Sequence, residues 1–152
     1  MNAKLEKRLA KLQFHCSRTE RCSFDLSLKL KQEKFLNSEV EWIINKLIDD
    51  KFIDNERYAS AFANDHFKFK NWGKNKIKST LYSKKIPSHY IDKAIKRIDK
   101  NDYLLTIQNL IQQKYKQITK GSKQEKKAKI IRYMTNKGYE ISLLNDYIKD
   151  LD

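Results

Sequence analysis

Apolar residues recur along this chain at intervals of three to five positions, and the whole series comes round again. Leu26, Leu30, Phe35, Val40, Ile44 and Leu47 form one set. Moving 51 positions along gives Ile77, Leu81, Ile86, Ile91, Ile95 and Ile98. Moving 104 positions from the first set gives Ile130, Met134, Tyr139, Leu144, Ile148 and Leu151. All eighteen are apolar in a chain that is 39% hydrophobic, which chance rarely produces, so the pattern predicts one structural unit used three times.

Spacings of three and four place these residues on one face of a helix. A short turn is expected near Phe35, Ile86 and Tyr139, with Ser38, Ser88 and Ser142 at or beside it. Ser38 and Glu41 have capping-box spacing. Pro87 suits a helix start and Gly138 a helix C-terminus. Asp54 is the expected N-cap of a helix carrying Tyr58, Ala59, Phe62 and Ala63. Its counterpart opens at Lys100-Asn101-Asp102 and carries Tyr103, Ile107, Leu110 and Ile111. Another helix precedes the first set, with Leu5, Leu9 and Leu12 on one side. The pattern predicts helices at about 3–20, 24–35, 38–50, 55–70, 74–85, 88–99, 101–118, 123–137 and 141–151. The expected fold is all-α: a single domain over 1–152, with three-helix repeats at about 3–50, 55–99 and 101–151. Stacking of neighbouring repeats, in an elongated and curved array, supplies the core that one triplet lacks.

Composition agrees with helix and adds charge. Three glycines and one proline are too few for a turn-rich β protein. Thirty-three Lys and Arg against 19 Asp and Glu leave a net charge of +14, which predicts a polyanionic partner or an acidic protein face. Richness in Lys, Asn and Ile also fits drift in an AT-rich genome, so the placement of the charge matters more than its total. Between His66 and Ile91 there is no acidic residue, yet Lys68, Lys70, Lys74, Lys76, Lys78, Lys84 and Lys85 are there, interleaved with Phe67, Phe69, Trp72 and Tyr82. Lysines neutralise phosphates, while aromatic faces stack on bases or pack between helices. Packing is the favoured role for Trp72. A second cluster holds Lys114, Lys116, Lys120, Lys123, Lys126, Lys127, Lys129 and Arg132 against Glu125 alone. Arg18 and Arg21 flank Glu20, and Arg57 follows Asp54 and Glu56; a local ion pair is the favoured role for Arg57.

Catalytic chemistry finds little support. His15, His66 and His89 lack the spacing of a metal pair. Lys120-Gly121-Ser122-Lys123 lacks the order of a phosphate loop. Asp49, Asp50 and Asp54 are more simply caps and helix-end residues. Cys16 and Cys22 have no zinc spacing, and on one helix about 9 Å of rise would separate them, too far for an unstrained disulfide. They read as packing residues of a reduced, cytoplasmic protein. No stretch approaches the apolar length of a membrane span. Neither an enzyme nor a cofactor or metal site is expected.

Four segments carry a family resemblance. Cys16-Ser17-Arg18-Thr19-Glu20-Arg21-Cys22-Ser23 leads into the first apolar set. Phe52-Ile53-Asp54-Asn55-Glu56-Arg57-Tyr58-Ala59 has Asn55 where an acidic residue is usual. Asn71-Trp72-Gly73-Lys74-Asn75-Lys76-Ile77 runs on to Leu81, Lys84, Lys85, Ile86 and Pro87. Lys129-Ile130-Ile131-Arg132-Tyr133-Met134 closes on Lys137-Gly138-Tyr139. In order and spacing these resemble the RecX family, over nearly the whole chain from residue 16 to 151. Lys34 and Lys85 stand where many members have glycine, so these turns are expected to be less left-handed.

The resemblance implies three three-helix repeats and a protein that enters the groove of the RecA–DNA filament; a monomer is the default expectation. It further implies that the protein modulates, chiefly restrains, RecA's ATP hydrolysis, filament extension and strand exchange. Candidate contacts to RecA or to single- or double-stranded DNA are Arg18, Arg21, Lys68, Lys70, Trp72, Lys74, Lys76, Lys78, Lys84, Lys85, Lys126, Lys127, Lys129 and Arg132. Two other readings stay open: a stand-alone nucleic-acid binder, and a helical adaptor whose lysines only keep it in solution.

Overall fold

The computed structural model describes residues 2–151, and these form nine α-helices and no strand. They are α1 (Ala3–Arg18), α2 (Ser23–Gln32), α3 (Asn37–Asp49), α4 (Asn55–Lys70), α5 (Lys74–Ser83), α6 (Ser88–Lys96), α7 (Lys100–Gln117), α8 (Lys123–Asn136) and α9 (Ile141–Ile148). Each lies within three residues of a helix predicted from the apolar pattern. Helices pack mainly within consecutive triplets: α1–α3, α4–α6 and α7–α9. Seventeen of the eighteen repeat positions are buried, and Leu151 is partly so. The accessible surface is 9709 Å². A compact monomer of 18.2 kDa exposes roughly 8100 Å². The excess of about a fifth fits thin helical layers with a large lysine-rich surface.

Local chemistry explains the helix ends. The Asp54 carboxylate accepts from the N–H groups of Glu56 and Arg57, at 2.9 and 3.0 Å. Ser122 and Glu125 form a reciprocal capping box at the start of α8. The expected box at Ser38 and Glu41 does not form. Helix α3 begins at Asn37, so it is Glu39 that reaches back, accepting from the Leu36 N–H at 2.8 Å. Leu36 offers no acceptor in return.

The turns at Lys34 and Lys85 correct another expectation. Both lysines are left-handed, with φ of 68° and 57°, and match Gly138 at φ 99° in the third unit. All three close a Schellman turn. Phe35 donates to Leu30, Ile86 to Leu81 and Tyr139 to Met134, and each of these three donors carries a buried side chain. Those hydrogen bonds and buried anchors outweigh a left-handed penalty of about 1 kcal/mol. Exposed Lys34 leaves that penalty removable. Lys34→Gly is expected to raise stability by about 0.5 kcal/mol, a strain relief partly offset by greater freedom of the unfolded chain. A higher urea midpoint at unchanged slope would show it; a lower midpoint would contradict it.

The core is split. One cluster fills α1–α3 and ends at Ile53. The other runs continuously through α4–α9 and takes in Cys22. The second and third triplets therefore share one interior. The first triplet joins them through Cys22 and Phe24 and a set of polar contacts: Arg57 to Glu20 at 2.9 Å, Lys84 to Asp25 at 2.7 Å, and Asn55 to Ser23. Arg57 thus takes the ion-pair role favoured for it. Both cysteines are free and buried, and burial pushes their thiols up, away from the reactive thiolate.

Candidate nucleic-acid interface

Two glycines set the geometry of the basic surface. Asn71 ends α4 in a left-handed conformation, and Gly73 opens α5. Here the chain runs against the α8–α9 turn, backbone to backbone. Gly73 N–H donates to the Lys137 carbonyl at 2.7 Å, and Asn75 N–H to the Gly138 carbonyl at 2.8 Å. The Tyr139 hydroxyl donates to the Asn71 carbonyl at 2.9 Å. A Cβ on Gly73 would lie 2.5 Å from the Gly138 oxygen, and one on Gly138 would lie 2.5 Å from the Lys76 nitrogen. Only glycine fits at either place.

Tyr103 of α7 completes the junction. Its hydroxyl accepts from the Lys74 N–H at 2.9 Å and donates to the Glu140 carboxylate. Burial, then the bond to Glu140, pushes this hydroxyl far above the ordinary tyrosine range. Burial raises Tyr139 likewise. The N–H groups of Gly73, Lys74 and Asn75 are therefore occupied, so the start of α5 does not offer a phosphate nest. Recognition falls to side chains. Tyr103→Phe leaves the Lys74 N–H and Glu140 without their partner, and a loss of about 1–3 kcal/mol is expected by chemical denaturation. An unchanged midpoint would contradict that.

The junction joins the two lysine clusters of the sequence. Lys76 sits over the Trp72 ring at 4.3 Å, with Lys70 at 6.0 Å and His66 beside the ring at 4.5 Å. The Lys76 backbone meets Gly138, the residue after Lys137. Lys137 and Lys114 then cover Tyr133, at 5.5 and 4.7 Å. Beyond them a cleft of about 490 Å³ between α7 and α8 is lined by Lys114, Lys120, Lys129 and Arg132, with no acidic side chain in its wall. The result is a continuous cationic ridge from α4 to α8. Aromatic rings hold its lysines in place; Glu140 lies at the junction but is bonded to Tyr103, and among the described residues no carboxylate pairs with Lys70, Lys76, Lys114 or Lys137.

The fourteen candidates divide on this structure. Lys68, Lys70, Lys129 and Arg132 are exposed, while Trp72, Lys74, Lys76, Lys78, Lys126 and Lys127 are partly covered. Lys74 lies over Tyr103 at 4.6 Å and Lys126 over Tyr115 at 5.8 Å. Trp72 packs edge-on against Phe62 and borders the core. Among the described residues Lys84 is the one candidate held in an ion pair. Lys85 covers Phe24 at 5.7 Å, beside the same junction with α2. Arg18 covers Phe14 at 4.7 Å on α1, and Arg21 is exposed between α1 and α2. These four stand apart from the ridge. Lys137 belongs to the ridge but to neither lysine run; only the contact between Gly73 and Gly138 brings it there.

His66 stacks on Phe62 with its Nδ1 against the Phe62 carbonyl at 2.9 Å. Among the described residues, no group of three His, Cys, Asp or Glu could hold a metal ion. No described helix is long and apolar enough to cross a membrane.

Comparison with known proteins agrees with this architecture. Family models described as the second and third three-helix domains of RecX match residues 54–95 and 101–148, together more than half of the chain. "Regulatory protein RecX" of Clostridium tetani is 31% identical over 124 residues, covering 80% of this chain and 55% of that protein. The protein of the same name in Vibrio campbellii is 26% identical over 129 residues, covering 85% and 81%. The chain spans 55% of the length of the C. tetani protein and 62% of that of a relative in Clostridioides difficile. A crystal structure of RecX from Lactobacillus salivarius superposes with a TM-score of 0.80 at 22% identity, covering 97% of this chain and 96% of that one. A second crystal structure, of regulatory protein RecX, gives 0.85 at 22% identity, covering 97% and 73%. Both likenesses concern the fold.

Proposed function

This chain belongs to the RecX family, and from that premise we propose that it regulates homologous recombination by binding the RecA–DNA filament and restraining it. Bound along the filament groove, the protein slows ATP hydrolysis, limits extension and hinders strand exchange. The observation that carries this reading is the ridge. Backbone contacts at Gly73 and Gly138 bring two lysine clusters side by side, and among the described residues none of Lys70, Lys76, Lys114 and Lys137 is held in an ion pair. A ridge of that kind fits the phosphates and acidic faces of a nucleoprotein fibre. Its lysines are point charges without the fork of arginine, which suits recognition of charge and shape over sequence.

Titration of the chain against RecA hydrolysing ATP on single-stranded DNA tests the proposal. Hydrolysis is expected to fall at or below one chain per RecA. Unchanged hydrolysis across the titration, with tight salt-sensitive DNA binding by the chain alone, would favour a stand-alone nucleic-acid binder.

A further inference from the structure

We infer that Phe69 is a base-stacking residue that turns the ridge toward single-stranded nucleic acid. Phe62, His66 and Phe69 follow one another along one side of α4 at spacings of four and three. The first two are accounted for: Phe62 is buried, and His66 lies between Phe62 and Trp72. Phe69, in the last turn, is 79% exposed, the most exposed large apolar residue of the described chain. Solvent exposure of a phenyl ring on that scale gains the fold nothing.

Its surroundings indicate the partner. Exposed Lys68 and Lys70 flank it, and Lys70 and Lys76 converge on the neighbouring Trp72. Asp65, one turn earlier, is the single acidic residue near it along α4. The other rings of the ridge are already occupied. Trp72 carries Lys76, and Tyr133 carries Lys114 and Lys137. No described cation or ring covers Phe69. Tyr82 is also uncovered, but it is only 50% exposed and has a hydroxyl to meet water. A free phenyl face between lysines suits a base whose own backbone phosphates the lysines neutralise. Bases in a duplex are already stacked, so the ring discriminates in favour of single strands.

This inference rests on reading the ridge as a nucleic-acid face. Its test is the affinity of the full chain for a short oligodeoxythymidine and for a duplex of equal length, measured by fluorescence anisotropy. Phe69→Ala is expected to weaken single-strand binding at least about fivefold. Duplex binding should change less than about twofold. Phe69→Trp should keep single-strand affinity and show a larger fluorescence quench on the single strand than the wild type, whose Trp42 and Trp72 give the baseline. Equal losses on both ligands, or no loss on either, would overturn the inference. So would weakened binding to DNA-free RecA with oligonucleotide affinity unchanged, which would seat the ring on protein. Restraint of RecA ATP hydrolysis by the wild-type chain is scored separately, so the function can stand while Phe69 fails.

Discussion

Gly73→Ala is expected to lower global stability by about 3 kcal/mol or more and to part the third helix triplet from the second. The added methyl would sit well inside 3.0 Å of the Gly138 carbonyl carbon and the Tyr139 nitrogen. Backbone atoms cannot swing away as a side chain tip can. The two turns must separate, and the bonds from Gly73 to Lys137, from Asn75 to Gly138 and from Tyr139 to Asn71 are lost together. Overpacking alone costs about 1–3 kcal/mol, and each buried polar group left unpaired costs about as much again. Gly121→Ala is the control. Unlike Gly73, which is extended at φ −81°, Gly121 is left-handed at φ 110°, and its nearest neighbour is a Glu125 side chain at 3.4 Å. Strain of about 1 kcal/mol is all that substitution should add. Urea denaturation separates the cases, and a Gly73→Ala midpoint within error of the wild type would refute the junction as described.

The second large effect falls on binding. Replacing Lys70, Lys76 and Lys137 together with Glu is expected to weaken DNA binding about 100-fold or more at moderate salt. The slope of log affinity against log salt should fall by about three, one for each phosphate contact removed. Restraint of RecA should be lost in parallel. Matching reversals at exposed Lys7, Lys29 and Lys31 change the net charge equally on the first triplet. Those should leave most of the affinity, because the claim concerns a placed ridge and not the total of +14. Equal losses in both variants would show that bulk charge alone does the work. Circular dichroism checks that the helices persist.

The helices were legible in the sequence because burial in a stacked array imposes a period that repeats. Leu30, Leu81 and Met134 occupy equivalent interior places, and each is fully buried. Helix ends were less legible, since a cap depends on which backbone N–H lies free. Ser38 and Glu41 have the spacing of a box, but α3 starts one residue before Ser38 with Leu36 as its N-cap, so the reaching carboxylate is Glu39. Left-handed Lys34 and Lys85 escaped a propensity argument because tertiary anchors at Phe35 and Ile86 override it. Of the candidate site, the lysine runs were visible but their meeting was not. Gly73 and Gly138 read as ordinary turn glycines until their backbones are seen in contact, and Lys137 joins the ridge through that contact alone. Lys84, a candidate by charge, is drawn into an ion pair with Asp25 from a distant stretch of chain.

Amide hydrogen exchange of the chain, alone and on RecA filaments assembled on single-stranded DNA, tests the central claim most directly. Slower exchange is expected along the ridge, in residues 68–78 and 129–138, with little change in α1–α3. Protection confined to α1–α3, or none anywhere on saturated filaments, would contradict the account.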